Sequence, residues 1–254
     1  MSLSEAETKV FHKLHTLEFQ RRFFAKDLRS DKRDFNSFRN TKISLGGVDT
    51  ADGSATVRVG KTTVVCVPNI KLSPLCSANF LPGPPGNSAQ SLSQMLHEIF
   101  NESVFSKKQL CIQSGSAVWV LYADIVCLNY DGNILDAAVI SLVNAILNTK
   151  LCRATFDEST GAVTCDRTFK IPLSLSKSLY PATFNIIDST NILADPSAEE
   201  EAFAATSFFI AIDNTDKLVR IWKRGCDPIP PDSFNQILKT AFERKKNLSL
   251  LYKI

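Results

Sequence analysis

The 254-residue sequence is poor in histidine, with three, and it lacks the short motifs that mark the commonest enzyme classes. It has no Gly-x-Ser-x-Gly nucleophile turn, no glycine-rich phosphate loop with lysine and no dinucleotide-binding glycine pattern. His12 and His15 stand three residues apart, but no third candidate ligand is near, so we expect no metal site there. The remaining histidine, His97, is expected at the surface.

Closely spaced cysteines are also missing. None of the seven cysteines lies within four residues of another, which excludes a zinc site built from a cysteine pair. The odd number and the scattered positions favour reduced thiols, each serving as a small buried apolar side chain. We therefore expect neither a metal nor a cofactor, and an intracellular location.

Long apolar runs are absent as well. The longest stretch without Asp, Glu, Lys or Arg, residues 72–97, contains four prolines and many polar residues, so it cannot form a membrane-spanning helix. The first residues include Glu5 and Glu7 and no apolar run, so we expect no signal peptide.

The composition is that of an ordinary folded protein, with 44% hydrophobic and 22% charged residues. The length is compatible with one large domain or two coupled ones. The net charge of +3 is unevenly spread, because residues 217–254 carry nine basic and three acidic side chains. This basic tail could contact a polyanion, but the solvated face of a terminal helix is the favoured interpretation.

Hydrophobic periodicity predicts an α+β fold in which several strands followed by a helix occur twice. A capping box at Ser4 and Glu7 predicts a first helix that runs to about Ala25. Asp232 is expected to cap the last helix. Helical spacing predicts further helices at 92–100 and 139–147, and period-two alternation predicts strands at 43–45, 55–59, 64–67, 116–129, 162–165, 169–173, 182–187, 191–194, 208–212 and 218–222.

An acidic cluster, formed by Asp195 and the consecutive residues Glu199, Glu200 and Glu201, has two interpretations. Crowded carboxylates can hold Mg²⁺. Three contiguous side chains point in different directions, however, so a solvated acidic turn is the favoured interpretation.

Two stretches, residues 28–70 and 118–147, resemble the RNase PH family, and specifically the ring subunits of the eukaryotic exosome. Arg29, Asp31 and Arg33 stand where the family has Arg-Pro-Asp-Gly-Arg, although the two residues between them depart from that motif. The segments ADGSA and GKT match the family's paired strands, and PNIKLSPLC and PGPPG look like the exosome branch. The resemblance covers nearly the whole chain.

The resemblance implies the RNase PH fold, which is similar to domain 2 of ribosomal protein S5, with two βαβ-type halves forming one unit. On this basis the chain divides into an N-terminal helix or arm at 1–27, a first half at 28–165, and a second half with the C-terminal helix at 166–254. The family also implies assembly into a six-membered ring.

The resemblance also places the family's catalytic positions. The Gly-Thr-Arg triplet that binds inorganic phosphate falls on Asn133-Ile134-Leu135, and Leu135 has no side-chain donor for a phosphate. Of the two aspartates that serve metal and acid chemistry, the first falls on Glu201 and the second on Ser207, which lacks a carboxylate. The helix arginines that grip RNA correspond to Gln94, Glu98 and Asn101.

These replacements imply a non-catalytic ring subunit, not an enzyme, that forms the channel of an exosome and docks partner subunits. The expected partners are other RNase PH-like subunits in a hetero-hexameric ring, RNA-binding cap subunits, an associated exoribonuclease and RNA in the central channel. The expected location is the nucleus, nucleolus and cytoplasm. Strands 208–212 and 116–129 are the candidate packing elements. Lys71, Lys107 and Lys108 are weak candidates for RNA contact, although solvated lysines are the favoured interpretation.

Two other functions stay open at this point. The chain could be an active phosphate-dependent 3′→5′ exoribonuclease, and an arginine near Gly132 in the folded protein would favour that function. No arginine occurs between Lys71 and Lys150. A free-standing RNA-binding module would show stacking aromatic residues on a strand, and no such motif is present.

Overall fold

The computed structural model describes residues 14–48, 51–66, 71–72, 86–100, 107–188 and 191–252, except for the side chains of residues 71, 72, 88, 107, 108 and 167. The predicted capping box at Ser4 and Glu7, His12, Asn101 and most of the proline-rich loop lie outside these residues. The described helices are α1 Thr16–Phe24, α2 Asn87–Phe100, α3 Ile134–Asn148, α4 Ala198–Phe203 and α5 Pro231–Leu251. The described strands are β1 Thr41–Leu45, β2 Ala55–Val59, β3 Thr62–Cys66, β4 Lys71–Leu72, β5 Cys111–Gln113, β6 Ala117–Val118, β7 Ile125–Asn129, β8 Lys150–Phe156, β9 Val163–Pro172, β10 Leu179–Ile187, β11 Asn191–Ala194, β12 Thr206–Asp213 and β13 Leu218–Arg224.

The first sheet has five strands in the order β1-β2-β3-β7-β4. All neighbours are antiparallel except β4 and β7, which are parallel and are joined through α2. In β2 every second side chain is fully buried, namely those of Ala55, Val57 and Val59. This alternation is what a sheet with one face on the core requires, and the three predicted strands at its start are confirmed.

Helix α3 lies between the two sheets of the molecule. Twelve of its fifteen residues are buried, and it packs against β2 and β3 on one side and against β10 on the other. A helix that is apolar on all sides is stable only in such a buried position. The predicted buried helix is therefore confirmed, as is the helix predicted at 92–100, which is the C-terminal part of α2.

The second sheet has four antiparallel strands in the order β11-β10-β12-β13. Because β11 and β12 both run antiparallel to β10, they are parallel to each other, and α4 connects them around the intervening strand. Helix α5 covers β10 and β12 with Ile237 and Ala241. Together with β4-α2-β7, this arrangement confirms the α+β fold with two βαβ-type halves.

The strand predicted at 116–129 is wrong as a single element. Within this stretch only the segments β6 and β7 are strands. The residues between them, 119–124, form no strand. β6 pairs with β5 in a separate hairpin, whereas β7 joins the first sheet. Alternating side chains report an extended backbone, but they do not report whether one partner strand continues along it.

Other boundaries also differ from the predictions. The strands predicted at 162–165 and 169–173 are one strand, β9, whose pairing with β8 leaves residues 167–169 without partners in a bulge. Asp232 does not cap α5, because the cap position is Pro230 and Pro231 opens the helix. Proline at the first helical position is favoured because its missing N–H has no partner there in any case.

The strand that contains 208–212 is not available as a packing edge, so that prediction is wrong. β12 lies between β10 and β13 and is hydrogen-bonded on both sides.

The division at 1–27, 28–165 and 166–254 stays a proposal, and its second boundary falls within β9. Within the described residues, no helix combines the length and the apolar character that a membrane span needs.

Candidate active site

A narrow crevice lies where the N-terminus of α3 meets α2 and the second sheet. Leu135 closes one side of it, next to Phe209 and Trp222 of the sheet, and its remaining lining comes from Met95, Glu98, Ile99 and Arg220. The crevice contains about 10 Å³ of free space, roughly the minimum for one water molecule.

Leu135 occupies the position where the resemblance places the phosphate-binding arginine. Its side chain is 7% exposed and belongs to the apolar core with Phe209. An aliphatic side chain offers neither charge nor N–H groups to an oxyanion. At this end the crevice is therefore apolar and closed.

Gln94 and Glu98 occupy positions of α2 where the family is expected to grip RNA. The Gln94 amide donates to Oε1 of Glu98 at 3.1 Å, and Arg220 of β13 forms an ion pair with the same carboxylate. The negative charge of Glu98 is thus balanced within the chain. Neither side chain supplies a cation to a phosphate backbone.

The N-terminus of α3 binds a carboxylate of the chain itself. Asn133 N–H donates to Oε1 of Glu201 at 2.7 Å, and the Tyr130 hydroxyl donates to the other carboxylate oxygen. Burial raises the pKa of Glu201, while these two hydrogen bonds and the charge of Arg39 act against that rise. The free N–H groups and the dipole of a helix N-terminus favour an anion. Glu201 supplies that anion here.

The approach of α4 to this helix end depends on Gly132. Its φ is +79°, and a Cβ atom there would lie 2.4 Å from the carbonyl carbon of Ser197. Only glycine combines a left-handed backbone with such close packing. The turn at Asp131 and Gly132 thereby brings Asn133 within reach of Glu201.

An arginine does lie beside Gly132, and it is Arg39, which precedes β1. Its Nε and Nη2 atoms donate to the two carboxylate oxygens of Asp195 at 2.9 and 2.8 Å. Nη1 donates to the Asp131 carbonyl at 2.6 Å, and further bonds reach Gly132, Pro196 and the Asp131 carboxylate. All five N–H donors of a guanidinium are engaged in this way. Arg39 has no donor left for a phosphate.

Asp195 is fully buried at the centre of this ionic cluster. Besides Arg39, the Asn133 amide donates to it at 2.7 Å. Burial would raise the pKa of Asp195, but the hydrogen bonds and the charge of Arg39, together with Asn133, lower it to about 2. The carboxylate is therefore ionised at neutral pH and held by its partners.

A second buried carboxylate, Asp136, adjoins the cluster. It accepts the Thr183 backbone N–H at 3.1 Å, the Thr183 hydroxyl at 2.6 Å and the Asn133 amide at 2.9 Å. Burial raises the pKa of Asp136 to about 6 despite these bonds. The cluster therefore contains one strongly acidic and one weakly acidic aspartate.

The acidic stretch is not a solvated turn, so the favoured interpretation was wrong. Asp195 and Glu200 are 0% and 1% exposed, and only Glu199 is exposed. Glu200 forms a buried ion pair with Arg29, whose Nε donates to Oε1 at 2.9 Å. Among the described residues, no group of three or more His, Cys, Asp or Glu side chains is placed to hold a metal ion.

Ser207, at the position expected for the second aspartate, lies near the beginning of β12. Its neighbours across the sheet are Asn185 of β10 and Arg224 of β13. It lies on the same face of the sheet as Phe209, two residues on, and therefore on the crevice side. The structure thus places Leu135 and Glu201 at the N-terminal end of α3 and Ser207 on the sheet face that also carries Phe209.

The lysines proposed to contact RNA are not tested. Lys71 belongs to β4, and Lys107 and Lys108 open a short 3₁₀ turn at Lys107–Leu110. Their side chains lie outside the described residues. They remain predictions.

Sequence reasoning missed Arg39, Tyr130 and Asp136. Asp136 carried a signal, because it is the one charged residue in a helix that is otherwise apolar. Arg39 and Tyr130 carried none, since their partners Asp195 and Glu201 lie 156 and 71 residues away in sequence.

Comparison with known proteins identifies the class to which this fold and crevice belong. Residues 67–151 match the 3′ exoribonuclease family, domain 1, and residues 181–244 match the 3′ exoribonuclease family, domain 2. The chain belongs to this family, the RNase PH family, as the resemblance of its sequence predicted.

Two relatives and one solved structure show which members of the family the chain is similar to. Exosome complex component rrp43 of Schizosaccharomyces pombe is 35% identical over 252 residues, covering 91% of this chain and 93% of that protein. Exosome complex component Rrp42 of Methanothermobacter thermautotrophicus is 30% identical over 87% of this chain and 88% of that protein. The structure described as the Archaeoglobus fulgidus exosome with RNA bound to the active site superimposes with a TM-score of 0.82 and 25% identity, covering 98% of this chain and all of that one.

Proposed function

We propose that the chain is a non-catalytic RNase PH-like subunit of an RNA exosome ring. In this function it supports 3′→5′ RNA processing and degradation by forming part of the channel and by docking partner subunits. The relatives named as exosome components cover nearly its whole length, and the fold matches that of an exosome chain.

The filled crevice is the observation that carries the non-catalytic part of this proposal. Phosphorolysis needs a bound phosphate, groups that stabilise the developing charge, and room for the RNA end. On the resemblance, Leu135 stands at the phosphate position and Ser207 at that of a metal-binding carboxylate, while Glu201 accepts the N–H of Asn133 at the helix N-terminus. These three replacements together support the non-catalytic function.

The proposed partners follow from membership of the ring. They are other RNase PH-like subunits in a hetero-hexamer, RNA-binding cap subunits, an associated exoribonuclease, and RNA in the central channel. A location in the nucleus, nucleolus and cytoplasm is proposed on the same basis.

The surface offers a candidate ring contact in place of β12. The hairpin of β8 and β9 belongs to neither large sheet, and Val163, Phe169 and Ile171 on β9 are 44%, 63% and 56% exposed. Val118 and Tyr122 add further exposed apolar side chains, 60% and 72% exposed, and Val118 pairs with Cys111 of β5, which packs on β8. Exposed apolar groups of this size indicate a protein contact. The occupant that we propose is a neighbouring RNase PH-like subunit.

An active phosphate-dependent exoribonuclease is the second candidate, and the presence of Arg39 beside Gly132 favours it. The carboxylate of Glu201 also supports this candidate, because the resemblance places the first catalytic aspartate there. However, Arg39 is fully engaged with Asp195 and with backbone carbonyls. We therefore favour the non-catalytic function over the active exoribonuclease.

The test combines assembly with chemistry. The chain is expressed alone and together with candidate ring subunits, and native mass spectrometry determines the complexes. We expect a multi-subunit ring. Labelled RNA and inorganic phosphate are then added to the isolated chain, and we expect no nucleoside diphosphates above a no-enzyme control.

Glu201→Ala and Leu135→Ala are the matched variants for the assembled ring. We expect both to leave the rate of RNA degradation by the ring unchanged. Release of nucleoside diphosphates by the isolated chain that disappears in Glu201→Ala would establish the second candidate instead. A monomer that joins no ring subunit would overturn the exosome assignment.

A further inference from the structure

Three polar side chains form a row across the second sheet, at the end from which α4 departs. Asn185 of β10 faces Ser207 of β12, and Ser207 faces Arg224 of β13. Residues directly opposite each other in antiparallel strands lie on the same face with Cβ atoms about 5 Å apart. The row leads outward, since Asn185 is 1% exposed, Ser207 is half-buried and Arg224 is exposed.

The side chains of this donor row, those of Asn185, Ser207 and Arg224, form no hydrogen bond with one another or with other groups in the part of the chain that the structure describes. Neither Nδ2 nor Oδ1 of Asn185 is paired, although both atoms are buried. A buried amide without a partner is unfavourable for folding, and such groups in native proteins indicate a bound ligand or water. The position of the row beside the crevice favours a ligand.

The chemistry of the donor row selects an anion. An amide NH₂, a hydroxyl and a guanidinium all donate, and the guanidinium adds a fixed positive charge. Arg224 ends a strand that carries no acidic residue. Glu201 is bound by Tyr130 and Asn133, and Arg224 forms no ion pair with a carboxylate among the described residues.

We propose that the donor row binds one phosphate group, either inorganic phosphate or a single phosphodiester of RNA. At the position where the resemblance places a cation-binding carboxylate, the chain has the neutral Ser207, and Arg224 on the neighbouring strand adds a positive charge. RNA as the source of the phosphate rests on the proposed function in an exosome ring. Binding of inorganic phosphate does not depend on that assignment.

Two charge-neutralising variants of adjacent residues test the site in the full chain. Arg224→Gln removes the charge from the donor row, while Lys223→Gln removes the same charge from the opposite face of the same strand. Inorganic phosphate is titrated by ³¹P line broadening, and a labelled single-stranded RNA by fluorescence anisotropy at two salt concentrations. We expect Arg224→Gln to weaken binding by about tenfold or more and Lys223→Gln by less than about twofold. Equal weakening by both variants would show diffuse charge attraction and overturn the site.

Two further variants address the inner members of the row. Ser207→Asp returns a carboxylate and is expected to abolish phosphate binding. Asn185→Leu removes the unpaired amide, so we expect weaker binding with an unchanged or raised melting temperature. A lowered melting temperature with unchanged binding would mean that Asn185 holds a structural water, which would remove it from the site.

Competition distinguishes the two sources of phosphate. Displacement of RNA by inorganic phosphate, lost in Arg224→Gln, would show that both occupy the row. Arg224-dependent RNA binding without phosphate binding identifies the phosphodiester, and the reverse identifies the free ion. If the binding of neither ligand depends on Arg224, the site is refuted. Ring membership is judged independently, by the mass of the native complex.

Discussion

Arg39 joins three parts of the chain that are far apart in sequence. It lies before β1, and it binds the Asp131 turn ahead of α3 and Asp195 at the end of β11. Charge-assisted hydrogen bonds from a buried guanidinium fix the geometry of all three segments. Its function in this chain is structural, although it stands next to the crevice.

We expect Arg39→Lys to lower the free energy of unfolding by about 3–5 kcal/mol, because three ammonium donors cannot replace five planar ones around a buried carboxylate. Urea denaturation measures this change. Arg58→Lys is the matched control, since Arg58 is exposed on β2 and has a single hydrogen bond to Gly60. It should change the stability by less than about 0.5 kcal/mol. Equal effects of both substitutions would contradict the structural function of Arg39.

The two buried aspartates make the stability depend on pH in opposite directions. The pKa of Asp136, about 6, lies above its ordinary value of 3.8, so its stabilising contribution is complete below pH 3.8 and is lost as the pH rises through 6. The pKa of Asp195, about 2, lies below the same ordinary value, so its contribution is present above pH 3.8 and is lost as the pH falls through 2.

Substitution separates these two contributions. We expect Asp136→Asn to flatten the decrease in unfolding free energy between about pH 4 and pH 7, and Asp195→Asn to flatten the decrease between about pH 4 and pH 2. Urea unfolding at unit pH intervals measures both. Asp232→Asn, at an exposed position of α5, is the control and should leave the profile unchanged. A wild-type profile retained in Asp136→Asn would refute the assignment.

At the scale of elements, α3 determines whether the two halves fold together. It contributes side chains to the core of the first sheet and also contacts β10 of the second. A helix shared in this way couples the two sheets, so we expect one cooperative unfolding transition.

Ile140→Ala tests that coupling. Ile140 is fully buried in α3, and its truncation should cost about 2–5 kcal/mol. Trp119 precedes β7 and Trp222 lies on β13, so variants that retain one tryptophan each report on a different half. We expect both fluorescence transitions to shift together, while Leu250→Ala, at an 86% exposed position, shifts neither. Two separate transitions would show that the halves unfold independently.

At the scale of the whole molecule, the exposed apolar side chains of β9 need a partner. Phe169→Ser combined with Ile171→Ser should leave the melting temperature of the isolated chain within about 2 °C of the wild type, because neither residue is buried. The same change should reduce incorporation into the ring, measured by native mass spectrometry. Leu250→Ser combined with Leu251→Ser, two exposed leucines of α5, is the control and should assemble normally. Undiminished assembly of the β9 variant would place the ring contact elsewhere.

Most helices and strands, and the family, could be predicted without the structure, because both depend on local information. The alternation of Ala55, Val57 and Val59 predicts β2, and the apolar residues at 139–147 predict the buried part of α3, whatever their partners are. The family motifs are contiguous segments that can be matched without knowing the fold. For the same reason the resemblance could assign Leu135, Glu201 and Ser207 to the family's catalytic positions, and that assignment stays a prediction.

The folded chain was needed to show which groups are buried and which partners they have. The interior position of β12, the break before β7 and the burial of Asp195 all depend on strand pairing and on contacts between residues that are distant in sequence. An acidic run has the same local pattern whether its charges face water or a buried arginine. Burial and pairing are properties of the assembled core, so Arg39 and the donor row became visible only in the folded chain.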